Sequence, residues 1–180
     1  NSTTLSTSSD LLVYNPDGTT LTWTSTMFAS TNFHMTLPAT GTYSILVDPD
    51  AASTGSTTLT LSSEINAGSL TVNGGPAPAT IGRVGQRARY NFSGGSGQQV
   101  TVNVTGNTMG SVTVQLVKPD GTQQTASTSS LSSFNLATQT LVATGTYAIY
   151  VDPASTNTGS MNVAVTGTTV ATKLAVTSVN

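Results

Sequence analysis

Apolar and polar residues alternate along short segments of the chain, with a period of two. Each segment is five to nine residues long and is rich in Val, Ile and Tyr, which favour strands. Successive side chains of a strand point to opposite faces, so each segment predicts one apolar face and one polar face. The clearest series are Val100-Val102-Val104, Val112-Val114-Leu116, Tyr147-Ile149-Val151, and Tyr43-Ile45-Val47. The strands expected next along the chain continue the pattern with Met161-Val163-Val165 and with Leu59-Leu61.

Turn signals separate these segments. Pro-Asp-Gly at 16–18 and again at 119–121 predicts a tight turn, because Pro presets φ and Gly accepts a positive φ. Asp-Pro at 48–49 and 152–153 predicts the end of a strand, because Pro cannot donate to a ladder. The chain has no amphipathic helical segment. Short alternating strands between regular turns predict an all-β fold of jelly-roll or immunoglobulin-like β-sandwiches.

The chain also repeats itself. The turn Pro-Asp-Gly-Thr at 16–19 returns at 119–122, and Thr-Gly-Thr-Tyr at 40–43 returns at 144–147. Val-Asp-Pro at 47–49 and Thr-Gly-Ser at 54–56 return at 151–153 and 158–160. The spacing is 103 residues for the first pair and 104 for the others. Four anchors in the same order predict tandem copies of one structural unit.

The two copies do not cover the same part of the repeat. We expect residues 1–76 to form an incomplete first sandwich with its linker strand, 77–166 a complete second one, and 167–180 a linker or donor strand. The first copy lacks counterparts of about two strands, 87–92 and 98–104. Two explanations stay open: the chain is a segment of a longer array, or strands of a neighbouring subunit fill the gap. The residues expected at such an assembly interface are Leu11, Val13, Trp23, Leu174, Val176 and Val179.

These four anchors resemble the bacterial pre-peptidase C-terminal-like repeats, which occur as tandem copies in secreted and Rhs-type surface proteins. The resemblance covers nearly the whole chain, although the first copy lacks the opening strands. It implies an extracellular jelly-roll-like sandwich that acts as an accessory, spacer or binding module. It implies no catalytic residue. Because turn carboxylates bind calcium in some relatives, it also makes Asp48, Asp50 and Asp152 candidate calcium ligands.

Composition narrows the classes of function. Charged residues are only 7% of the chain, whereas Thr and Ser together make up about a third of it. The chain has five basic residues and a net charge of −2, which is too little positive charge for a nucleic-acid-binding surface. No nucleic-acid partner is therefore expected. No apolar run approaches the ~20 residues of a membrane helix. The absence of cysteine excludes disulfides and thiol chemistry, and together with the Thr and Ser content it is typical of bacterial secreted or surface proteins.

The chain contains few side chains that could act in catalysis. His34 is the only histidine and Glu64 the only glutamate, while every Asp except Asp10 lies in a turn motif or beside a proline. A Ser-His-Asp site or a pair of glycosidase carboxylates would have to come from this small set. We therefore expect that the protein is not an enzyme and has no catalytic residue. We also expect no resident cofactor other than the calcium that the resemblance suggests.

These observations favour an extracellular or cell-surface structural protein, a subunit or segment of a filament, stalk or surface layer that forms homo-oligomers. The alternative is a carbohydrate- or protein-binding adhesion module. Exposed aromatic residues serve as stacking platforms in such modules, and Trp23 is the single tryptophan of the chain. A core or interface position is the other interpretation of Trp23.

Overall fold

The computed structural model describes residues 4–5, 8–26 and 34–168. This part of the chain is all β, and no helix occurs in it. It divides into two compact units, 1–62 and 63–180. Within the described ranges no helix is long and apolar enough to cross a membrane.

The first unit contains one three-stranded antiparallel sheet with the order β2-β1-β3. β1 pairs with β2 from Ser9↔Thr26 to Tyr14↔Thr20, with an irregularity after Val13. It pairs with β3 from Ser9↔Pro49 to Tyr14↔Ser44. The strands are β1 (Ser9–Tyr14), β2 (Thr20–Thr26) and β3 (Ser44–Pro49).

The second unit is a sandwich of two five-stranded sheets, as the alternating pattern predicts. One sheet has the order β10-β7-β13-β5, with β11 also paired to β7, and the other has the order β4-β6-β12-β8-β9. The strands are β4 (Ile65–Ser69), β5 (Ala77–Ile81), β6 (Ala88–Gly94), β7 (Gln99–Thr105), β8 (Val112–Val117), β9 (Gln123–Ser129), β10 (Phe134–Asn135), β11 (Gln139–Thr140), β12 (Gly145–Pro153) and β13 (Gly159–Gly167).

The core of the second unit lies between these two sheets. It consists of the inward residues of the alternating segments, and Tyr147, Ile149 and Val151 of β12 are fully buried. Tyr90 and Phe92 of β6 lie beside them in the same sheet, and the Phe92 ring stacks on the Tyr147 ring at a centroid distance of 5.5 Å. The all-β sandwich expected from the sequence is therefore present here.

The segment 63–76 was expected to be the linker strand after the first unit, but the structure places it in the second unit. Its strand β4 pairs in parallel with β6, from Ile65↔Ala88 to Ser69↔Asn91. Leu70 then enters the core of the second unit. The tail 169–180 lies outside the described residues.

Candidate assembly site

The β1–β2 hairpin is closed by an Asx-type turn that recurs in the second unit. Asp17 Oδ1 accepts hydrogen bonds from the backbone N–H and the hydroxyl of Thr19, at 2.9 and 2.6 Å. Asp120 accepts the same two bonds from Thr122, at 2.8 and 2.7 Å. In both turns the bond from the threonine hydroxyl is the main reason why the aspartate pKa lies below its usual value. Both turns thus favour the ionised carboxylate.

A tyrosine fixes the start of β3. The Tyr43 hydroxyl donates to the carbonyl of Ala39 at 2.7 Å and accepts from the Ala39 N–H at 3.1 Å. Tyr147 makes the same two bonds to Ala143, at 2.9 and 3.1 Å. Such a tyrosine corner is common in β-sandwiches. It holds the Tyr43 ring against the backbone of Ala39 in the same way as the buried Tyr147 ring is held against Ala143.

Strand pairing is also the same in the two units. β8 pairs with β9 and β12 as β1 pairs with β2 and β3, so Leu116 lies opposite Ile149 just as Val13 lies opposite Ile45. The irregularity between β1 and β2 recurs between Leu116 and Val117. Positions of the three strands can therefore be compared one by one.

The inward face of the first unit is only partly covered. Val13 is buried, with 2% of its surface exposed, but Ile45 is 44% exposed. Tyr43 and Val47 are half-buried, whereas Tyr147, Ile149 and Val151 at the same positions of the second unit are fully buried. Leu11 is half-buried as well. We call Tyr43, Ile45 and Val47 the open face.

Missing neighbours of β3 explain this difference. The inward side chains of β12 are covered by the opposing sheet of the sandwich, which has no counterpart in the described part of the first unit, and they are also flanked by a further strand of their own sheet. In the second unit the strand at the same position, β12, lies between β8 and β6. In the first unit β3 ends the sheet, and within the described ranges no strand pairs with it on the side away from β1. The inward side chains of β3 therefore lack the neighbours that β6 gives to β12.

The sequence predicts a strand with Leu59 and Leu61 on one face, and this prediction is wrong. Residues 58–64 form no strand, and the two leucines are 46% and 76% exposed. At the same place in the second unit, β13 is hydrogen-bonded on both sides, by β5 and β7. The described part of the first unit contains no counterpart of β5 or β7, and a strand needs a partner for its N–H and C=O groups.

Trp23 lies on the outward face of the first unit. It is 63% exposed and lies opposite Leu12, which in turn lies opposite Leu46, itself 45% exposed. These three residues form a row across all three strands, which we call the outer row. The same positions of the second unit are Ala126, Gln115 and Tyr150. Trp23 therefore belongs to a different surface from Leu11 and Val13, with which it was grouped as an interface residue.

The three candidate calcium ligands do not come together. Asp48 is exposed on β3 opposite Asp10, and Asp50 follows in the next bend, whereas Asp152 belongs to β12 of the second unit. In the part of the chain that the structure describes, no group of three or more His, Cys, Asp or Glu side chains could hold a metal.

The two residues considered for catalysis, His34 and Glu64, belong to different units. His34 is exposed. Glu64 accepts from Arg87 Nε and Arg89 Nε, both at 2.8 Å, and the Arg87 guanidinium lies 4.2 Å from the centre of the Tyr150 ring. This cluster links the start of β4 to β6. The remaining interface candidates, Leu174, Val176 and Val179, lie outside the described residues.

Comparison with known proteins gives similarities of structure only. No family model and no curated protein matches the chain. The chain is similar to the pre-peptidase C-terminal domain of a collagenase from Bacillus anthracis, with 12% identity and a TM-score of 0.45, over 60% of this chain and 99% of that one. It is also similar to PliG of Aeromonas hydrophila, a periplasmic inhibitor of g-type lysozyme, with 16% identity and a TM-score of 0.37, over 57% and 99% of the two chains. No statement about the function of this chain follows from similarities at these TM-scores.

Sequence reasoning missed two features of these surfaces. The outer row joins residues of three strands, so it is visible only once the pairing of Leu12 with Trp23 and Leu46 is known. The parallel pairing of β4 with β6 was missed because the pattern of residues 65–69 is weak. The spacing of 104 residues between Leu70-x-Val72 and Leu174-x-Val176 was a signal that this segment opens a unit rather than closes one.

Proposed function

We propose that this chain is a structural segment of an extracellular bacterial filament, stalk or surface layer built from repeated β-sandwiches. Its first unit would be completed by the addition of a β-strand along the free edge of β3. The observation that carries this proposal is the contrast between Ile45, which is 44% exposed, and Ile149, which is fully buried at the same position of the same strand pairing.

Tandem organisation is part of the proposal. It is supported by the shared strand register, by the paired turns of Asp17 and Asp120, and by the paired tyrosine corners of Tyr43 and Tyr147. In such an array each unit buries a core of its own, while the Thr- and Ser-rich surface keeps the array in solution. The function is then mechanical and needs no bound ligand.

Strand addition would supply two kinds of contact. Main-chain hydrogen bonds along an edge give affinity, and alternate side chains inserted into the sheet face give specificity. The open face offers Tyr43, Ile45 and Val47 to those side chains. The donor belongs either to a neighbouring subunit, whose tail with Leu174 and Val176 is one candidate, or to another part of a longer array.

Two substitutions on one strand test this proposal. Ile45 and Leu46 are adjacent on β3 and almost equally exposed, at 44% and 45%, but they point to opposite faces. We expect Ile45→Lys to abolish assembly, because it places a charge beside the apolar side chains that the added strand would bring to this face, and we expect Leu46→Lys to leave assembly intact. Light scattering over a range of concentrations and electron microscopy of the full chain and of native material measure this. Native particles in which no strand lies along β3 would overturn the proposal.

The outer row favours a second candidate, an adhesion module. A tryptophan that is 63% exposed beside Leu46 offers a flat apolar surface on which a sugar ring could stack. Because the chain has one tryptophan, a ligand on this face would change its fluorescence directly. Titration of the full chain with oligosaccharides tests this function. Trp23→Ala should remove binding and Ile45→Lys should retain it, which is the reverse of the assembly result.

A further inference from the structure

The second unit contains the strand that a first unit would need. On the side away from β8, β12 pairs antiparallel with β6, with Tyr147 opposite Phe92, Ile149 opposite Tyr90 and Val151 opposite Ala88. These β6 side chains are buried, and the Phe92 and Tyr147 rings are stacked with an interplanar angle of 25°. The inward side chains of β12 are thus flanked, within their own sheet, by a small residue and two aromatic rings.

A glycine completes this pattern. Gly94 lies opposite Gly145, and a Cβ atom on Gly94 would lie 3.1 Å from Cδ2 of Tyr147 and closer still to the Leu141 side chain. A side chain at this position would therefore displace Leu141 and crowd the Tyr147 ring. Read along β6, the inward sequence is Ala88, Tyr90, Phe92, Gly94.

The open face has the same layout, shifted by 104 residues. Gly41, Tyr43, Ile45 and Val47 stand where Gly145, Tyr147, Ile149 and Val151 stand in the second unit. Leu37 stands where Leu141 stands, and it is exposed, whereas Leu141 is buried. The hydroxyl of Tyr43 is already held by the backbone of Ala39, so the ring needs no rearrangement before an aromatic side chain stacks on it.

We infer that the strand completing the first unit runs antiparallel to β3 and carries, on alternate positions, a small residue, two aromatic residues and a glycine, as β6 does. Phenylalanine would lie on Tyr43, tyrosine on Ile45 and the small residue on Val47. This inference rests on the proposed function, and it names the class of partner: a β6-type strand from another unit of the array. The chain's own β6 is paired on both sides, by β4 and β12.

The tail does not fit this requirement. Its alternate residues Leu174, Val176 and Ser178 include no aromatic side chain and no glycine. By the same spacing of 104, Leu174 and Val176 match Leu70 and Val72, which follow β4. In the second unit β4 pairs with β6 and not with β12, so a tail that took the equivalent place would lie one strand away from β3.

Peptide binding to the full chain tests the inference. The probes are a labelled peptide of residues 86–95, the same peptide with Tyr90→Ser and Phe92→Ser, and a peptide of residues 172–180. We expect the first to bind at least tenfold more tightly than either of the others. Hydrogen exchange should show new protection at residues 44–49 and none at 145–153. Ile45→Lys should abolish binding, whereas the matched variant Leu46→Lys should not.

Each result has a defined meaning. If the tail peptide binds as tightly as the β6 peptide and protects 44–49, the inference falls and strand addition stands. If the serine variant binds equally well, the aromatic requirement is wrong. If no peptide binds, the inference is overturned, and electron microscopy of native assemblies then decides separately whether any strand lies along β3. Fusion of residues 86–95 ahead of Asn1 through a flexible linker repeats the test at high effective concentration. Failure of this fusion to protect 44–49 also overturns the inference.

Discussion

The difference between the two units can be measured with one substitution made twice. Ile45→Ala and Ile149→Ala remove the same three carbon atoms from the same position of the same strand pairing, opposite Val13 and Leu116 respectively. Ile149 is fully buried, while Ile45 is 44% exposed. The expected losses of stability therefore differ.

Removing three carbons from a fully buried site costs about 2.4 kcal/mol, at about 0.8 kcal/mol for each CH₂ group. At Ile149 the cavity left behind raises the cost to about 3–4 kcal/mol. At Ile45 only a little over half of the side chain is covered, so the transfer contribution falls to about 1.3 kcal/mol. Solvent can fill the space, so no cavity cost is added. We expect Ile149→Ala to cost about two to three times as much as Ile45→Ala.

Hydrogen exchange measured by mass spectrometry in the dilute full chain reports each unit separately. The fluorescence of Trp23, the only tryptophan, reports denaturant unfolding of the first unit independently. Equal costs at the two positions in dilute solution would mean that Ile45 is already covered there, and they would refute the open face. On assembly, the cost of Ile45→Ala should rise, since an added strand would place a side chain beside Ile45 as β6 places Tyr90 beside Ile149.

Three further predictions concern the second unit. Gly94→Ala should destabilise it by about 1–3 kcal/mol in thermal unfolding, because the new methyl group overpacks the tyrosine corner, whereas Gly82→Ala has open space and should change little. Glu64→Gln should lower the free energy of unfolding by about 1 kcal/mol at low salt, and by less at 1 M salt, because it removes two partly exposed ion pairs to arginine. A loss of stability that does not depend on salt would contradict this prediction. Burial raises the pKa of Tyr90 to about 12, so the folded state favours the neutral phenol. The contribution of this preference to the free energy of unfolding should be fully present below pH 10 and should be lost as the pH rises towards 12. Ultraviolet titration of wild type against Tyr90→Phe measures this, and ionisation of all tyrosines near pH 10 in the folded protein would contradict it.

Local patterns predicted the strands of the second unit well, because each alternating segment also has a partner there. Tyr147, Ile149 and Val151 were expected on one face and lie together in the core. Asp-Pro at 152–153 was expected to end a strand, and β12 ends at Pro153. In these cases the local preference and the tertiary environment agree.

The same pattern failed at Leu59 and Leu61 because alternation describes one strand and contains no information about its partner. The sequence of residues 57–61 alternates like that of β13, but β13 has β5 and β7 beside it. Hydrogen bonding to a partner decides whether an alternating segment becomes a strand. The missing strands of the first copy predicted an uncovered part of this unit, but they did not identify the exposed side chains, because exposure depends on the neighbouring strands and not on β3 itself.

The calcium prediction rested on the resemblance and on two aspartates close together in sequence. Asp48 belongs to β3 and Asp50 to the bend that follows it, so closeness along the chain does not by itself direct the two carboxylates at one ion. Asp48 lies opposite Asp10 on the adjacent strand, and Asp152 belongs to the other unit. A site of several carboxylates needs loops that converge in space, which one sequence does not reveal.

The near absence of charge on the open face bears on the conditions in which such a protein could work. Among the described residues that point inward from β1, β2 and β3, none is ionisable, and charged residues are 7% of the whole chain. A contact formed by apolar side chains and main-chain hydrogen bonds is little affected by ionic screening. It weakens on cooling instead, because the hydrophobic contribution declines at low temperature. A minimum temperature, and not a limit on salt concentration, would then define the conditions in which the assembled material holds together.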